Sequence, residues 1–196
     1  MRELTAALVA TVLLQTVLAA GQGASASWLD RPLSNWNKGG APVPTAPQPS
    51  EPRATLIERC TLDARQPTPV GSHLAAAGWV PFLHQDQQLS QADIEIVDGM
   101  NDADGMCRPG TFNAFVFVDG RFAGTLSPVP MTSRLDGSIG AVRIISADLI
   151  TAEFARYRAQ DPLCCPSSRV AVRFRIDRMA PDPVVTPLDM RTTRGQ

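Results

Sequence analysis

Residues 149–177 read LITAEFARYRAQDPLCCPSSRVAVRFRID, and their pattern decides the fold class. In the second half Val170, Val172, Phe174 and Ile176 share one parity, while Arg173, Arg175 and Asp177 take the other. A period of two, apolar on one side and charged on the other, is what a strand needs to bury one sheet face and wet the other. In the first half Ile150, Ala152 and Phe154 share a parity that Arg156 and Arg158 continue, so a bulge or the sheet rim is expected there. Between them lies Asp161-Pro162-Leu163-Cys164-Cys165-Pro166-Ser167-Ser168, a turn that makes residues 149–158 and 169–177 an antiparallel hairpin.

Working outward toward the N-terminus, residues 141–146 form a further strand, preceded by a long connection over 127–136 and an Asp136-Gly137 turn. Residues 112–118 are a continuous apolar run that ends in Asp119-Gly120, a dipeptide suited to a two-residue type I′ hairpin leading into 121–126. That turn pairs Val118 with Arg121, Phe117 with Phe122 and Phe115 with Gly124. The three phenylalanines then share one face, taken as the core, and Val116 and Val118 on the other imply a strand covered on both sides. Residues 93–97 read as a strand, 85–91 as a short helical turn and 79–83 as extended chain. Ser72 reads as the N-cap of a short helix over 73–77 that Gly78 terminates. The expected fold is mainly β, with α+β as the alternative: an antiparallel meander of five to six strands, one or two short N-terminal helices and disulfide staples.

The chain of 196 residues fits one domain with extensions. Residues 1–26 read as a signal peptide: Arg2 opens it, 4–20 are almost wholly apolar, and Ala24-Ser25-Ala26 supplies small residues for cleavage before Ser27. An uncleaved apolar segment would instead serve as an N-terminal membrane anchor. Residues 27–53 read as a spacer holding Trp28 and Trp36, with prolines at 42, 44, 47, 49 and 52 that enforce extended geometry over roughly 35 Å. The β-rich globular domain is assigned to 54–179 and a polar C-terminal tail to 180–196. With 18 basic and 19 acidic residues, the net charge of -1 provides no field to draw nucleic acid. The expected location is exported: periplasm, cell envelope or extracellular space.

In an oxidising compartment four cysteines without CxxC or Cys/His spacing read as disulfides. Three pairings of Cys60, Cys107, Cys164 and Cys165 exist. A Cys164–Cys165 bond closes an awkward eight-membered ring, so the favoured reading gives Cys60 and Cys107 one of the vicinal pair each. Loops of that span would contribute about 4 kcal/mol each by restricting the unfolded chain.

No catalytic, cofactor-binding or metal-binding residues and no cofactor are assigned. Asp98, Asp102, Asp104 and Gly105 match a calcium loop poorly, because Met100 and Thr111 stand at its first and twelfth positions. Asp136-Gly137-Ser138-Ile139-Gly140 lacks the glycine two places before serine that a nucleophile elbow wants. His73 and His84 read as surface residues. A redox role for Cys164 and Cys165 is weaker than a structural one, since exchange enzymes use CxxC. Arg156, Arg158, Arg173 and Arg175, with Arg169 as a further candidate, form a candidate anion-binding face, for acidic glycans or lipid head groups, against the alternative of a solvated strand face.

Residues 107–176, with Phe112-Asn113-Ala114-Phe115-Val116-Phe117, Gly120-Arg121-Phe122-Ala123-Gly124-Thr125-Leu126, Tyr157 and the Asp161–Ser167 turn, resemble the LppP/LprE family of bacterial envelope lipoproteins. The chain differs in having no cysteine after its apolar N-terminal run. The resemblance implies an envelope address and no catalytic residue or ligand. The expected protein is an exported, envelope-associated, non-enzymatic binding or structural module, whose partner is a glycan, a lipid head group or a protein. The alternatives are a secreted hydrolase and a small-ligand carrier with a phenylalanine-lined cavity.

Overall fold

The computed structural model describes residues 27–62, 68–82, 89–179 and 181–194. After a 3-10 turn at Trp28–Asp30 come helices α1 (Arg53–Arg59) and α2 (Pro69–Ala76). Nine strands follow among the described residues: β1 (Val80–Phe82), β2 (Leu89–Gln91), β3 (Ile94–Ala103), β4 (Pro109–Val118), β5 (Arg121–Thr125), β6 (Ile139–Ser146), β7 (Leu149–Arg156), β8 (Ser168–Asp177) and β9 (Val184–Arg194). All pairing is antiparallel. The first sheet runs β1-β3-β4-β5 with β2 also on β3, and the second runs β6-β7-β8-β9. The mainly β, disulfide-stapled reading holds, but in two sheets rather than one five- or six-stranded meander.

The two sheets face each other across one core. Ile94, Ile96, Ala114, Val116 and Val118 of the first sheet pack with Ile150, Phe154, Val172 and Phe174 of the second. Phe115 and Phe117 point the opposite way, into a second cluster with Trp79 and with Val70 and Leu74 of α2. β4 is therefore covered on both sides, as its unbroken apolar run requires. The larger cluster lies behind the valines, not behind the phenylalanines taken from the sequence as the core. Each fully buried phenylalanine contributes on the order of 2 kcal/mol.

Asp119 (φ 49°) and Gly120 (φ 69°) make the turn after β4, both left-handed as a type I′ turn demands. Val118 pairs with Arg121 and Phe117 with Phe122 as expected, but a bulge at Ala123 moves Gly124 opposite Val116 and Thr125 opposite Phe115. Residues 127–136 cross from the first sheet to the second, tied where Met131 bridges Phe112, where Ser133 N–H reaches Pro109 O (3.1 Å) and where Asn113 Nδ2 donates to Ser127 O (3.2 Å). In β8 the four apolar residues read from the alternation are all buried.

Further expectations change. The helix expected over 73–77 begins at Pro69, whose missing N–H costs nothing at the first helical position, and Thr68 rather than Ser72 caps it (Gly71 N–H to Thr68 Oγ1, 2.9 Å). Of the helical turn expected over 85–91, residues 89–91 are strand β2, and the rest lies outside the described residues. The expected polar tail contains β9, which pairs along the whole of β8 and buries Val185. Pro187 is tolerated because β9 is an edge strand with a bulge between the partners of Arg173 and Phe174.

The expected spacer also lies on the body instead of standing off it. Its carbonyls, unused by the extended proline-rich backbone, accept from Trp79 Nε1 (Pro44 O, 2.7 Å) and Asn101 Nδ2 (Pro47 O, 2.5 Å). Upstream, Trp28 and Trp36 meet Phe154 and Phe174 edge-on at 5.0 and 6.2 Å. Asn37 joins the edge strands of the two sheets, donating to Val185 O (2.9 Å) and Thr125 O (3.0 Å) and accepting from Thr125 N–H (2.9 Å). No helix among the described residues is long and apolar enough to cross a membrane. The signal-peptide reading of 1–26 lies outside the described residues.

Candidate functional site

The cysteine turn caps one end of the second sheet, between β7 and β8. Asp161 organises it: its Oδ2 accepts from the N–H groups of Arg158 and Ser167 (2.8 Å each) and from the Ser167 hydroxyl. The Ser167 hydroxyl first, then the Arg158 N–H, hold the Asp161 carboxyl below the usual carboxylate range. Tyr157 closes the loop from the side, its hydroxyl donating to Leu163 O (2.9 Å) and its N–H to Asp136 Oδ1 (2.8 Å). At the tip Leu163 is 60% exposed, and Cys164 and Cys165 are exposed with it.

The favoured cross-pairing of cysteines is overturned. Cys164 bonds Cys165, and Cys60 bonds Cys107 with Cα atoms 5.4 Å apart. The reason is position. Cys60 ends α1 and Cys107 lies in the β3–β4 loop of the first sheet, so these two staple their own layer, while the vicinal pair sits on the other sheet. Arg59 reinforces the first staple, reaching Asp104 O (2.9 Å), Ala103 O (3.1 Å) and Glu51 (2.5 Å).

The candidate anion-binding set divides. Arg156 ends β7 on the inward parity, at the sheet rim, and is held by Asp30 (2.7 Å) and Asp136 (3.0 Å). Arg158 lies in the cysteine turn. Only Arg173 and Arg175 share the outer face of the second sheet, where Arg173 forks onto Asp189 (Nε to Oδ1, 3.0 Å).

Strand register adds Arg143 and Arg191 to that face and places Arg169 on it as well. Arg143 of β6 lies in the row Arg143, Thr151, Arg173, Asp189; Arg191 of β9 stands opposite Ala171; and Arg169 extends across Ala155 toward Gly140. Arg143, Arg175 and Arg191 are exposed and make no salt bridge among the described residues. The β6 parity could have revealed Arg143, but Arg191 was hidden by reading β9 as tail. At the end of this face Asp148, Arg175, Asp177 and Arg178 line an open depression of about 440 Å³. Arg178 is engaged there by Asp93 and Ala147 O.

The acidic residues scatter as well. Asp104 caps its own loop, accepting from the N–H groups of Met106 (2.8 Å) and Arg108 (3.0 Å), and Asp102 accepts from Ser50 (2.7 Å). Asp98 sits in mid-β3 between Ile96 and Met100 on the sandwich side, where burial pushes its carboxyl up to about 7. Among the described residues no cluster could hold a metal ion. His73 is exposed, its ring stacked 6.2 Å from Phe117, and His84 lies outside the described residues. The phenylalanines are split between two packed clusters rather than gathered around one space.

No curated protein and no solved structure matches the chain. Residues 84–178 match the family described as LppP/LprE lipoprotein. The matched stretch holds β2 to β8, Cys107 and the cysteine turn; α1, α2, β1, Cys60 and β9 fall outside it. Through residues 84–178, just under half of its length, the chain is similar to the LppP/LprE lipoprotein family, a likeness that suggests an envelope-associated protein.

Proposed function

We propose that the protein is a non-enzymatic binding module that lays the outer face of its second sheet against a phosphate-bearing membrane surface. The observation that carries the reading is the charge of that face. Arg143, Arg169, Arg173, Arg175 and Arg191 stand against Glu153, Asp177 and Asp189, in a chain whose net charge is -1. Guanidinium groups suit phosphate oxygens, which they can bind through paired N–H donors.

The shape of the patch favours a surface over a polymer. Three inter-strand spacings separate β6 from β9 and six residues separate Arg169 from Arg175, so the cations cover roughly 14 by 20 Å. A linear acidic glycan would be better served by a single file of cations or a groove. At about 1 kcal/mol per arginine near an anionic surface, Arg143, Arg175 and Arg191 supply about 3 kcal/mol. That orients a protein at the envelope without anchoring it.

The test is co-sedimentation of the mature chain with phosphatidylglycerol vesicles against phosphatidylcholine vesicles. Binding to the anionic vesicles alone is expected, weakened by salt and reduced roughly a hundredfold in Arg143→Gln/Arg175→Gln/Arg191→Gln. Equal binding to both vesicles, indifference to the triple substitution, or retention only by an acidic polysaccharide would overturn the reading.

A further inference from the structure

We propose that Cys164–Cys165 is a reversible thiol–disulfide exchange site, opened and closed by an external dithiol while the fold stays intact. Three observations carry this. First, the two bonds differ in access: Cys164 and Cys165 are exposed at the tip of a turn, whereas Cys60 and Cys107 are half-buried beneath Arg59, whose Nη1 lies 3.7 Å from Cys107 Sγ. Exchange requires a thiolate to reach a sulfur, so an exposed bond reacts first.

Second, the bonds constrain the chain differently. Cys60–Cys107 closes a loop over a separation of 47 residues, while Cys164–Cys165 joins neighbours. A bond between adjacent residues removes little freedom from an unfolded chain, so the fold gains little from it.

Third, the turn is held by groups other than sulfur. Asp161 ties Arg158 to Ser167 across the base of the loop, Tyr157 ties Leu163, and Cys165 N–H reaches Pro162 O at 2.9 Å. β7 and β8 then remain paired on either side. Opening the bond leaves all of these in place, and the two thiols stay adjacent, ready to close again.

The chemistry balances with one dithiol. A thiolate of the dithiol attacks Sγ of Cys164 or Cys165, the Cys164–Cys165 bond breaks, and a mixed disulfide forms. The second thiol of the dithiol attacks that mixed disulfide and leaves as part of its own new disulfide. Two electrons and two protons have moved to Cys164 and Cys165, and the dithiol is oxidised.

The folded chain is exposed to dithiothreitol in one arm and to a reduced CxxC protein in the other, quenched with an alkylating agent and mapped by peptide mass. Cys164 and Cys165 should label together, about tenfold faster than Cys60 and Cys107, with unchanged circular dichroism and melting. The responsive arm identifies the source of the dithiol, and removal of reductant should reclose the pair. Cys164→Ser/Cys165→Ser should fold with an unaltered melting temperature. Labelling of all four cysteines in step, melting on opening, failure of the double variant to fold, or a peptide joining either vicinal cysteine to Cys60 or Cys107 would overturn the proposal.

Discussion

At Gly124 a single missing Cβ lets two sheets share one amide. Its φ of 142° is a conformation L side chains rarely adopt, and a Cβ there would land on the Asn37 side chain that ties β5 to β9. Gly124→Ala should cost about 2 kcal/mol. Gly120 is the control: its φ is 69°, but it has open space around it, so Gly120→Ala should cost about 1 kcal/mol. Denaturant midpoints check both, and equal losses would refute the role of Asn37. The glycines are plain in the sequence, but only the approach of a residue 87 positions upstream distinguishes them.

Asp98 makes a second prediction at this scale. Its folded pKa of about 7 lies above its unfolded value of 3.8, so the folded state holds the proton more tightly. Stability is then greatest below the unfolded value and falls as pH rises through about 7. Glu95, also raised by burial, slopes the same way. Asp30, Asp93, Asp104, Asp161 and Asp189 are lowered by their hydrogen bonds and salt bridges, and they act in the opposite sense at more acid pH. Between about pH 4.5 and about pH 7.5 the protein should lose about 2 kcal/mol, allowing for partial exposure of Asp98. Asp98→Asn should remove most of that slope; a variant with the wild-type pH profile would show that Asp98 is not its source.

At the scale of elements, regular periodicity found β4, β7 and β8, because each buries alternate or successive side chains against a full sheet neighbour. Short or edge elements were less legible. α1 has seven residues and buries only Leu56, so it depends on the Cys60 bond and the Arg59 contacts more than on its own pattern. β9 carries a proline and was read as tail, yet it protects the long edge of β8.

The segment around Trp28 and Trp36 is an element of the core without being a helix or strand. Trp36 Nε1 donates to Thr125 O (3.1 Å), while Trp28 Nε1 is buried with no acceptor among the described residues. Trp28→Ala/Trp36→Ala should therefore lower stability by about 4 kcal/mol, mainly through lost packing. Trp36→Phe should cost more than Trp28→Phe, since only the first removes a hydrogen bond. Thermal melts of the three variants would decide this, and a neutral double alanine variant would contradict the packing.

On the scale of the whole molecule, the family match and the folding unit have different limits. A fragment of residues 84–178 would lack α2, Trp79 and β9, uncovering Phe115 and Phe117 on one side and the edge of β8 on the other. It should be aggregated or unfolded by circular dichroism and gel filtration, where residues 27–194 give a cooperative monomeric melt. A soluble, cooperative 84–178 would show that the outer layers are dispensable. In the intact protein, Cys60→Ser/Cys107→Ser should cost about 4 kcal/mol, from release of the long loop, as measured by denaturant midpoints under oxidising conditions.

By itself the sequence determined the strand class, the β4–β5 and β7–β8 hairpins and the family likeness of residues 84–178, because those rest on period-two burial and on turn residues close along the chain. The tertiary structure decided the division into two sheets, the cysteine partners and the membership of the arginine face. Each depends on residues far apart in sequence meeting in space: Asn37 with Thr125 and Val185, Cys60 with Cys107, and Arg143 brought to the same face as Arg175 and Arg191. Local alternation tells a side chain which way to point, whereas which strand lies beside it is fixed only when the whole core closes.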